Sequence, residues 1–122
     1  MVTEFTTILR LLEDAYGTVN LLALVKMDDV TEKWSVVLSA DWITSENFRD
    51  IFSAFASMIR QHVSEEERAT IARLGVLTSD NHLATELLRY QTNTRLKDEK
   101  VNGNFIHEGL ILKSTGPRSE SL

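Results

Sequence analysis

Residues 94–114 read TRLKDEKVNGNFIHEGLILKS, two extended runs that meet at Asn102-Gly103. Asparagine and glycine both accept the positive φ angles of a two-residue turn between antiparallel strands. The sequence therefore predicts a β-hairpin that turns at these two residues. Its register pairs three sets of residues across the two strands: Val101 with Asn104, Asp98 with His107, and Lys97 with Glu108. The first strand is mostly charged, which is typical of an exposed sheet edge.

Two more strands are predicted upstream of this hairpin. Residues 18–26 are almost continuously apolar, as in a strand covered on both faces. Residues 33–42 alternate instead, with Trp34, Val36 and Leu38 directed to one face of the sheet. A polar segment at 27–32 joins the two runs, so we expect them to pair as neighbours.

Helices are predicted where apolar residues recur at spacings of three and four. Such patterns begin at Thr3, near Ser45, at Ser64 and at Ser79, and a short apolar run at 74–78 predicts one more strand. The element order is α-β-β-α-α-β-α-β-β. The expected fold is a single α+β domain over residues 1–114, a mixed and mainly antiparallel sheet of about five strands with helices chiefly on one face. Residues 115–122 are small and polar and are predicted to be a disordered tail.

Composition excludes several classes of protein. The 122 residues are 43% hydrophobic and 25% charged, with no cysteine and a net charge of −5. Without thiols there is no disulfide framework, thiolate zinc site or iron–sulfur cluster. The acidic balance argues against general binding to nucleic acid or anionic membranes. The longest apolar run, 21–25, is too short to span a bilayer, and the first residues lack a signal-peptide pattern, so we expect a cytoplasmic protein.

No motif for a cofactor or a dedicated metal site is present, and we expect neither group. The three histidines, His62, His82 and His107, lie on different predicted elements without ligand spacing. The acidic loop 28–32 lacks the glycine of a calcium-binding loop. Phosphate-binding glycine loops and the usual serine-hydrolase motif are also absent from the sequence.

A polar patch on the hairpin is the candidate site. It comprises four hairpin residues with two possible neighbours from elsewhere: Asn102, Asn104, His107 and Glu108, with Asp41 and Arg73. The patch could cradle a ligand or contact a partner. It could equally be structural, with a turn at Asn102-Gly103, a bulge at Gly109 and cross-strand pairs at His107 and Glu108. An ion pair between Arg73 and Asp41 is a further possibility.

Three separated segments resemble a known group of sequences. They are residues 34–42 (WSVVLSADW), residues 73–77 (RLGVL), and residues 101–109 (VNGNFIHEG) with 111–114 (ILKS). Together these segments resemble a group of small uncharacterised bacterial cytoplasmic proteins with no established activity. The resemblance implies a bacterial cytoplasmic origin and implies no catalytic residues.

Three hypotheses of function follow. The first is a non-catalytic protein-interaction or regulatory domain, a homodimer with a hairpin edge able to add strands to a partner. The second is a small-molecule-binding protein or hydrolase that uses the polar patch. The third and weakest is a metal-dependent nuclease on Asp41, Asp98 and Lys100, in which carboxylates hold magnesium and the lysine assists hydrolysis.

Overall fold

The computed structural model describes residues 1–27 and 32–117. The elements in chain order are α1 (Val2–Tyr16), β1 (Leu21–Met27), β2 (Trp34–Ser39), α2 (Phe48–His62), α3 (Glu65–Arg68), β3 (Ile71–Leu77), α4 (His82–Leu87), β4 (Arg95–Val101) and β5 (Asn104–Ser114). This order and the single α+β domain confirm the fold class predicted from the sequence. Asp28 and Asp29 of the acidic loop, and the tail beyond residue 117, lie outside the described residues.

One sheet contains all five strands, in the order β3-β2-β1-β5-β4. The β1–β2, β1–β5 and β4–β5 pairs are antiparallel, and β2 pairs in parallel with β3. The chain passes through α2 and α3 between the parallel strands, as such a crossover requires. The edges of the sheet are therefore β3 and β4, while β1 lies at its centre.

Two apolar layers cover the faces of this sheet. The long helices α1 and α2 pack on one face, where Phe5 and Phe55 meet Leu22 and Leu24 of β1. The short helix α4 packs on the other face, where Leu87 and Leu88 join the cluster that contains Ala23 of β1. The continuous apolar run of β1 is thus explained by burial on both faces, as its sequence indicated.

The C-terminal hairpin forms with the predicted register. Asn102 and Gly103 have φ angles of 50° and 77°, and Val101 pairs with Asn104. The hairpin bends at Asp98, whose φ is 53°, and at His107, which is an extra residue in β5 relative to β1. The bulge therefore lies at His107 and not at Gly109, where we expected it.

Gly109 has a packing role instead. A Cβ at this position would lie 3.2 Å from Val25 Cγ1 and 3.3 Å from Leu96 Cβ. Both contacts are closer than ordinary van der Waals separation, so the absence of a side chain allows β5 to lie between its two neighbours. The glycine is required here by close approach of side chains.

The third strand begins three residues earlier than predicted, and the helix before it is short. Ser64 caps this helix by accepting a hydrogen bond from the Glu67 N–H at 3.2 Å. The helix then ends at Arg68, and the N–H of Trp34 donates to the Thr70 carbonyl at 2.8 Å. Residues 71–73 therefore belong to β3 because they pair with β2. This tertiary contact cannot be predicted from local apolar periodicity.

Candidate functional site

The structure separates the six residues of the predicted patch. His107 and Glu108 are neighbours on β5, whereas Arg73 lies on β3, three strand intervals away. At the usual strand spacing this separation is about 14 Å. Arg73 also donates from Nε to Ser35 Oγ at 3.0 Å, on the face of the sheet that α4 covers.

Asp41 is distant from both groups. Ser35 is the residue of β2 that pairs with Arg73, and Asp41 follows the far end of that strand, two residues after Ser39. Ser35 and Ser39 alone are separated by four residues, or about 13 Å along a strand. The Asp41 N–H donates to the side chain of Asn20 at 2.9 Å, which fixes it at the start of β1.

The two asparagines of the patch belong to the turn. Asn104 donates from Nδ2 to the carbonyl oxygen of Asn102 at 3.3 Å, a contact within the turn itself. Their geometry therefore agrees with the structural interpretation of these residues. Of the six predicted residues, the structure brings only His107 and Glu108 into one concave surface.

A concave surface, here called the His107 trough, runs along β5 at the bend of the hairpin. It consists of two adjoining cavities that share His107 and Glu108. One has a volume of about 370 Å³ and is lined also by Arg95, Leu96, Lys97 and Gly109. The other has a volume of about 260 Å³ and is lined also by Lys26 and Glu32.

The charges of the His107 trough are arranged around Glu108. Lys26 Nζ lies 3.5 Å from its carboxylate, and Lys97 is its cross-strand partner in β4. Lys26 also lies 4.6 Å from the centre of the Trp34 ring. The His107 ring also meets the Phe105 ring edge-on, at 4.8 Å between centroids. These groups offer hydrogen bonds and charge to a small ligand, but the lining residues of the described chain include no serine, threonine or cysteine nucleophile.

The residues proposed for a nuclease are not assembled. Asp98 and Lys100 lie on β4, and Asp41 follows β2, which is separated from β4 by two strands. Within residues 1–27 and 32–117, no group of three or more histidine and acidic side chains is positioned to hold a metal ion. The described part of the chain therefore does not bring Asp41, Asp98 and Lys100 together.

The two edges of the sheet differ sharply in chemistry. Along β4 the sequence from 95 to 100 is RLKDEK, with charges at five of its six positions. Along β3 the sequence is IARLGVL, with Arg73 as its single charge. Charged side chains protect an edge strand against pairing with another chain, whereas apolar edge strands invite it. Thus β3 is the unprotected edge of this fold.

An apolar stripe of α2 extends the β3 edge. Ala56 and Arg60 of the helix line a cavity of about 220 Å³ together with Ile71 and Leu74 of β3. Phe52 and Phe48 lie one and two turns earlier on the same stripe and are 41% and 40% exposed. We call the set of Leu74, Gly75 and Val76 with Phe48, Phe52 and Ala56 the β3 edge surface.

Sequence reasoning missed the β3 edge surface. The apolar run at 74–78 predicted a strand, but the position of β3 at an edge depends on the order of strands in the sheet. The sequence signal was the near absence of charge in 71–77, and this signal is shared with the central strand β1.

A separate polar contact fastens α1 to the sheet. The carboxylate of Glu13 accepts hydrogen bonds from the Val19 N–H at 2.9 Å and from Lys113 Nζ at 3.1 Å. Burial alone would raise the pKa of Glu13, but these two hydrogen bonds outweigh it and lower the pKa. The ionised form is therefore the one that the fold stabilises.

Comparison with protein families, with curated proteins and with solved structures found no match to this chain. The resemblance of residues 34–42, 73–77 and 101–114 to small bacterial proteins therefore stays a prediction. Among the helices of the described residues, none combines the length and hydropathy needed to cross a bilayer.

Proposed function

We propose that the protein is a non-catalytic interaction or regulatory domain that self-associates through the β3 edge surface. The observation that supports the proposal is an open strand of seven residues with one charge, beside two exposed phenylalanines. A contiguous apolar patch of this kind on a small domain marks an interaction site.

The proposal moves the interacting edge from β4, as the sequence suggested, to β3. On β4, a partner strand would have to accommodate Lys97, Asp98 and Glu99 in succession. Burying those charges without matched partners would cost several kcal/mol. On β3, by contrast, a partner strand would cover Leu74 and Val76, and the same contact would shield Phe52.

Mass measured by light scattering after size-exclusion chromatography tests this function. The chain of 13.8 kDa is expected to elute at twice that mass at micromolar concentrations and to dissociate on dilution. Phe52→Glu is expected to weaken the dimer by at least tenfold, because it places a charge on the apolar stripe. Leu11→Glu is the matched control, since Leu11 is similarly exposed (37%) but lies on α1.

Two results would count against the function. One is a wild-type mass that stays at that of a single chain up to hundreds of micromolar. The other is equal weakening by Phe52→Glu and Leu11→Glu, which would place the contact elsewhere. Circular dichroism of both variants must match the wild type, so that a change of mass reports the surface and not the fold.

The His107 trough supports a second candidate function, the binding of a small anionic ligand. Its larger cavity falls within the range of 300–1,000 Å³ typical of small-molecule sites. Among the described residues that line the trough, Lys26, Arg95 and Lys97 outnumber the carboxylates of Glu32 and Glu108, which favours a carboxylate or phosphate ligand.

Nuclear magnetic resonance with citrate and with inorganic phosphate tests this second candidate. Saturable shifts of the His107 ring signals are expected, with no shift at His82, which lies on α4 on the other face of the sheet. Shifts of similar size at both histidines would indicate general ionic effects and would rule out a site in the trough.

A further inference from the structure

We infer that two copies of the chain join β3 to β3 in antiparallel orientation about a two-fold axis at Gly75, which extends the sheet across both subunits. This inference rests on the proposed self-association and specifies its partner, register and symmetry. Three features of the molecule support it: the backbone groups on the open edge, the residue at the axis and the helices beside the edge.

Hydrogen bonds at both ends of β2 fix which residues point toward β3. The Trp34 N–H donates to Thr70 on the β3 side, and the Ser39 carbonyl accepts from Asn20 on the β1 side. Because successive residues of a strand direct their backbone groups to opposite sides, Val36 and Leu38 also face β3. Val36 pairs with Leu74 and Leu38 with Val76 in this parallel ladder.

In a parallel ladder, a residue whose groups face its neighbour bonds to the residues before and after its partner. Val36 and Leu38 therefore bond to Arg73, Gly75 and Leu77. The alternation leaves the N–H and C=O groups of Leu74 and Val76 on the open side of β3. These four groups are the ones that an added strand can use.

One symmetric register pairs these four groups with the same four groups of the partner. With the axis at Gly75, Leu74 of each copy pairs with the partner's Val76, and both pairs exchange two hydrogen bonds. With the axis at Leu74, Val76 would instead pair with the partner's Ala72. Ala72 lies at the irregular start of β3, between Ile71 and Arg73, where the β2–β3 register shifts. A closed, two-fold contact also ends with the second copy, which prevents open-ended growth of the sheet.

Gly75 is suited to the axis. It would form a non-hydrogen-bonded pair with its own copy, in which the two Cα atoms lie about 4.5 Å apart. A Cβ added at Gly75 would meet Leu77 Cδ2 and the Val36 carbonyl oxygen at 3.8 Å, which is ordinary contact. The position therefore has space on the α4 side of the sheet for two strands to approach closely.

The helices beside the edge would bring apolar surface together. Ile59 and Arg60 lie near Ile71, so α2 runs antiparallel to β3. Across the two-fold axis the two α2 helices would also run antiparallel to each other, with the exposed Phe48 and Phe52 of both copies between them.

The spacing of the two helices also fits. The buried side of α2 packs on residues of both β2 and β3, including Val36 and Leu74. A helix above the seam between those strands would lie about 10 Å from its symmetry mate when the two β3 strands are about 4.8 Å apart. Packed helices in proteins are separated by about 8–10 Å. This self-complementarity is why a second copy is the occupant that we propose.

Oxidative cross-linking with single cysteines tests the pairing, because the natural sequence contains no cysteine. Gly75→Cys is expected to form a disulfide-linked dimer in high yield, since its Cα separation falls within the range that a disulfide spans. Ala72→Cys is the matched control on the same strand. Its two copies would be separated by six residues of strand length, or about 20 Å, and should not cross-link.

Amide hydrogen exchange of the unmodified protein gives a second readout that needs no variant. The Leu74 and Val76 amides are expected to exchange at least tenfold more slowly at high than at low protein concentration. The Lys97 amide is the control. The Ile111 N–H donates to the Thr94 carbonyl, so the backbone groups of Thr94 face β5. Because backbone groups face opposite sides at successive residues of a strand, those of Lys97, three residues later, face the open side of β4.

The outcomes separate this pairing from the proposed function. A dimeric mass without a Gly75→Cys cross-link, or with concentration-dependent protection at Lys97 and not at Leu74, overturns the pairing and leaves self-association standing. Cross-linking of Ala72→Cys as efficient as that of Gly75→Cys also overturns it. A monomeric mass at all concentrations overturns both.

Discussion

Alanine substitution of two strand glycines should have opposite effects on stability. At Gly109 the new Cβ would lie 3.2 Å from Val25 Cγ1, 3.3 Å from Leu96 Cβ and 3.4 Å from Ile106 Cγ2, all of them buried side chains. Leu96 Cβ is attached directly to its backbone, so relief requires β4 to move relative to β5. At Gly75 the nearest atom would be 3.8 Å away, and no adjustment is needed.

The magnitude follows from two terms. Inserting a methyl group into a well-packed core typically costs about 1–3 kcal/mol. Replacing glycine by alanine restricts the unfolded chain and contributes about 0.4–1 kcal/mol of stability at either position. We therefore expect Gly109→Ala to lower the free energy of unfolding by about 0.5–2 kcal/mol and Gly75→Ala to leave it unchanged or raised. In the difference between the variants the unfolded-state term cancels, which leaves about 1–3 kcal/mol.

Urea unfolding followed by tryptophan fluorescence measures both values, with Trp34 and Trp42 as reporters. All proteins should be compared at one concentration and again after tenfold dilution, because Gly75 lies in the β3 edge surface. Equal free energies of unfolding for the two variants would refute the argument from close approach at Gly109. A stability lower for Gly75→Ala than for Gly109→Ala at both concentrations would refute it as well.

Three more predictions concern polar contacts and the hairpin turn. The pKa of Glu13 is lowered in the folded state, so the ionised carboxylate contributes to folding stability above the carboxyl pKa of the unfolded chain. This contribution is lost as pH falls through the lower pKa of the folded state. Glu13→Gln should therefore flatten the decrease in thermal stability between about pH 5 and pH 3, and an unchanged pH profile would contradict this. Gly103→Ala should cost about 1–2 kcal/mol in urea unfolding, since φ is 77° in the turn, and a neutral result would argue against that conformation. Asn81→Ala should lower the free energy of unfolding by about 0.5–2 kcal/mol, because the Asn81 side chain caps α4 by accepting a hydrogen bond from the Leu83 N–H at 2.9 Å. Asp80→Ala, at the exposed neighbouring position, is the comparison, and equal effects of the two substitutions would argue against the cap.

Local sequence accounted for the elements of the fold and for the hairpin. The Asn102-Gly103 turn and the pairing of Lys97 with Glu108 depend on residues close in sequence, so turn geometry alone sets their register. The capping pattern of Ser64 and Glu67 is local for the same reason. The continuous apolar run of β1 correctly predicted burial on both faces.

Which residues come together in the candidate sites depends on contacts between parts of the chain that are far apart in sequence. His107 and Glu108 were predicted together because they are adjacent in the chain. Arg73 and Asp41 were assigned as their neighbours without knowledge of the strand order, and the sheet places them about 14 Å or more away. No pattern in the sequence distinguishes a strand at the centre of a sheet from one at its edge when both are apolar.

The amino-acid sequence by itself determined the kind and order of the helices and strands and the position of the tight turn, because those choices depend on apolar periodicity and on the backbone preferences of a few residues. The tertiary structure alone decided that β3 is an open edge, that α2 leaves two phenylalanines beside it, and that the patch residues lie apart. These features depend on which strands pair across the sheet, and that pairing joins residues that are far apart in the sequence.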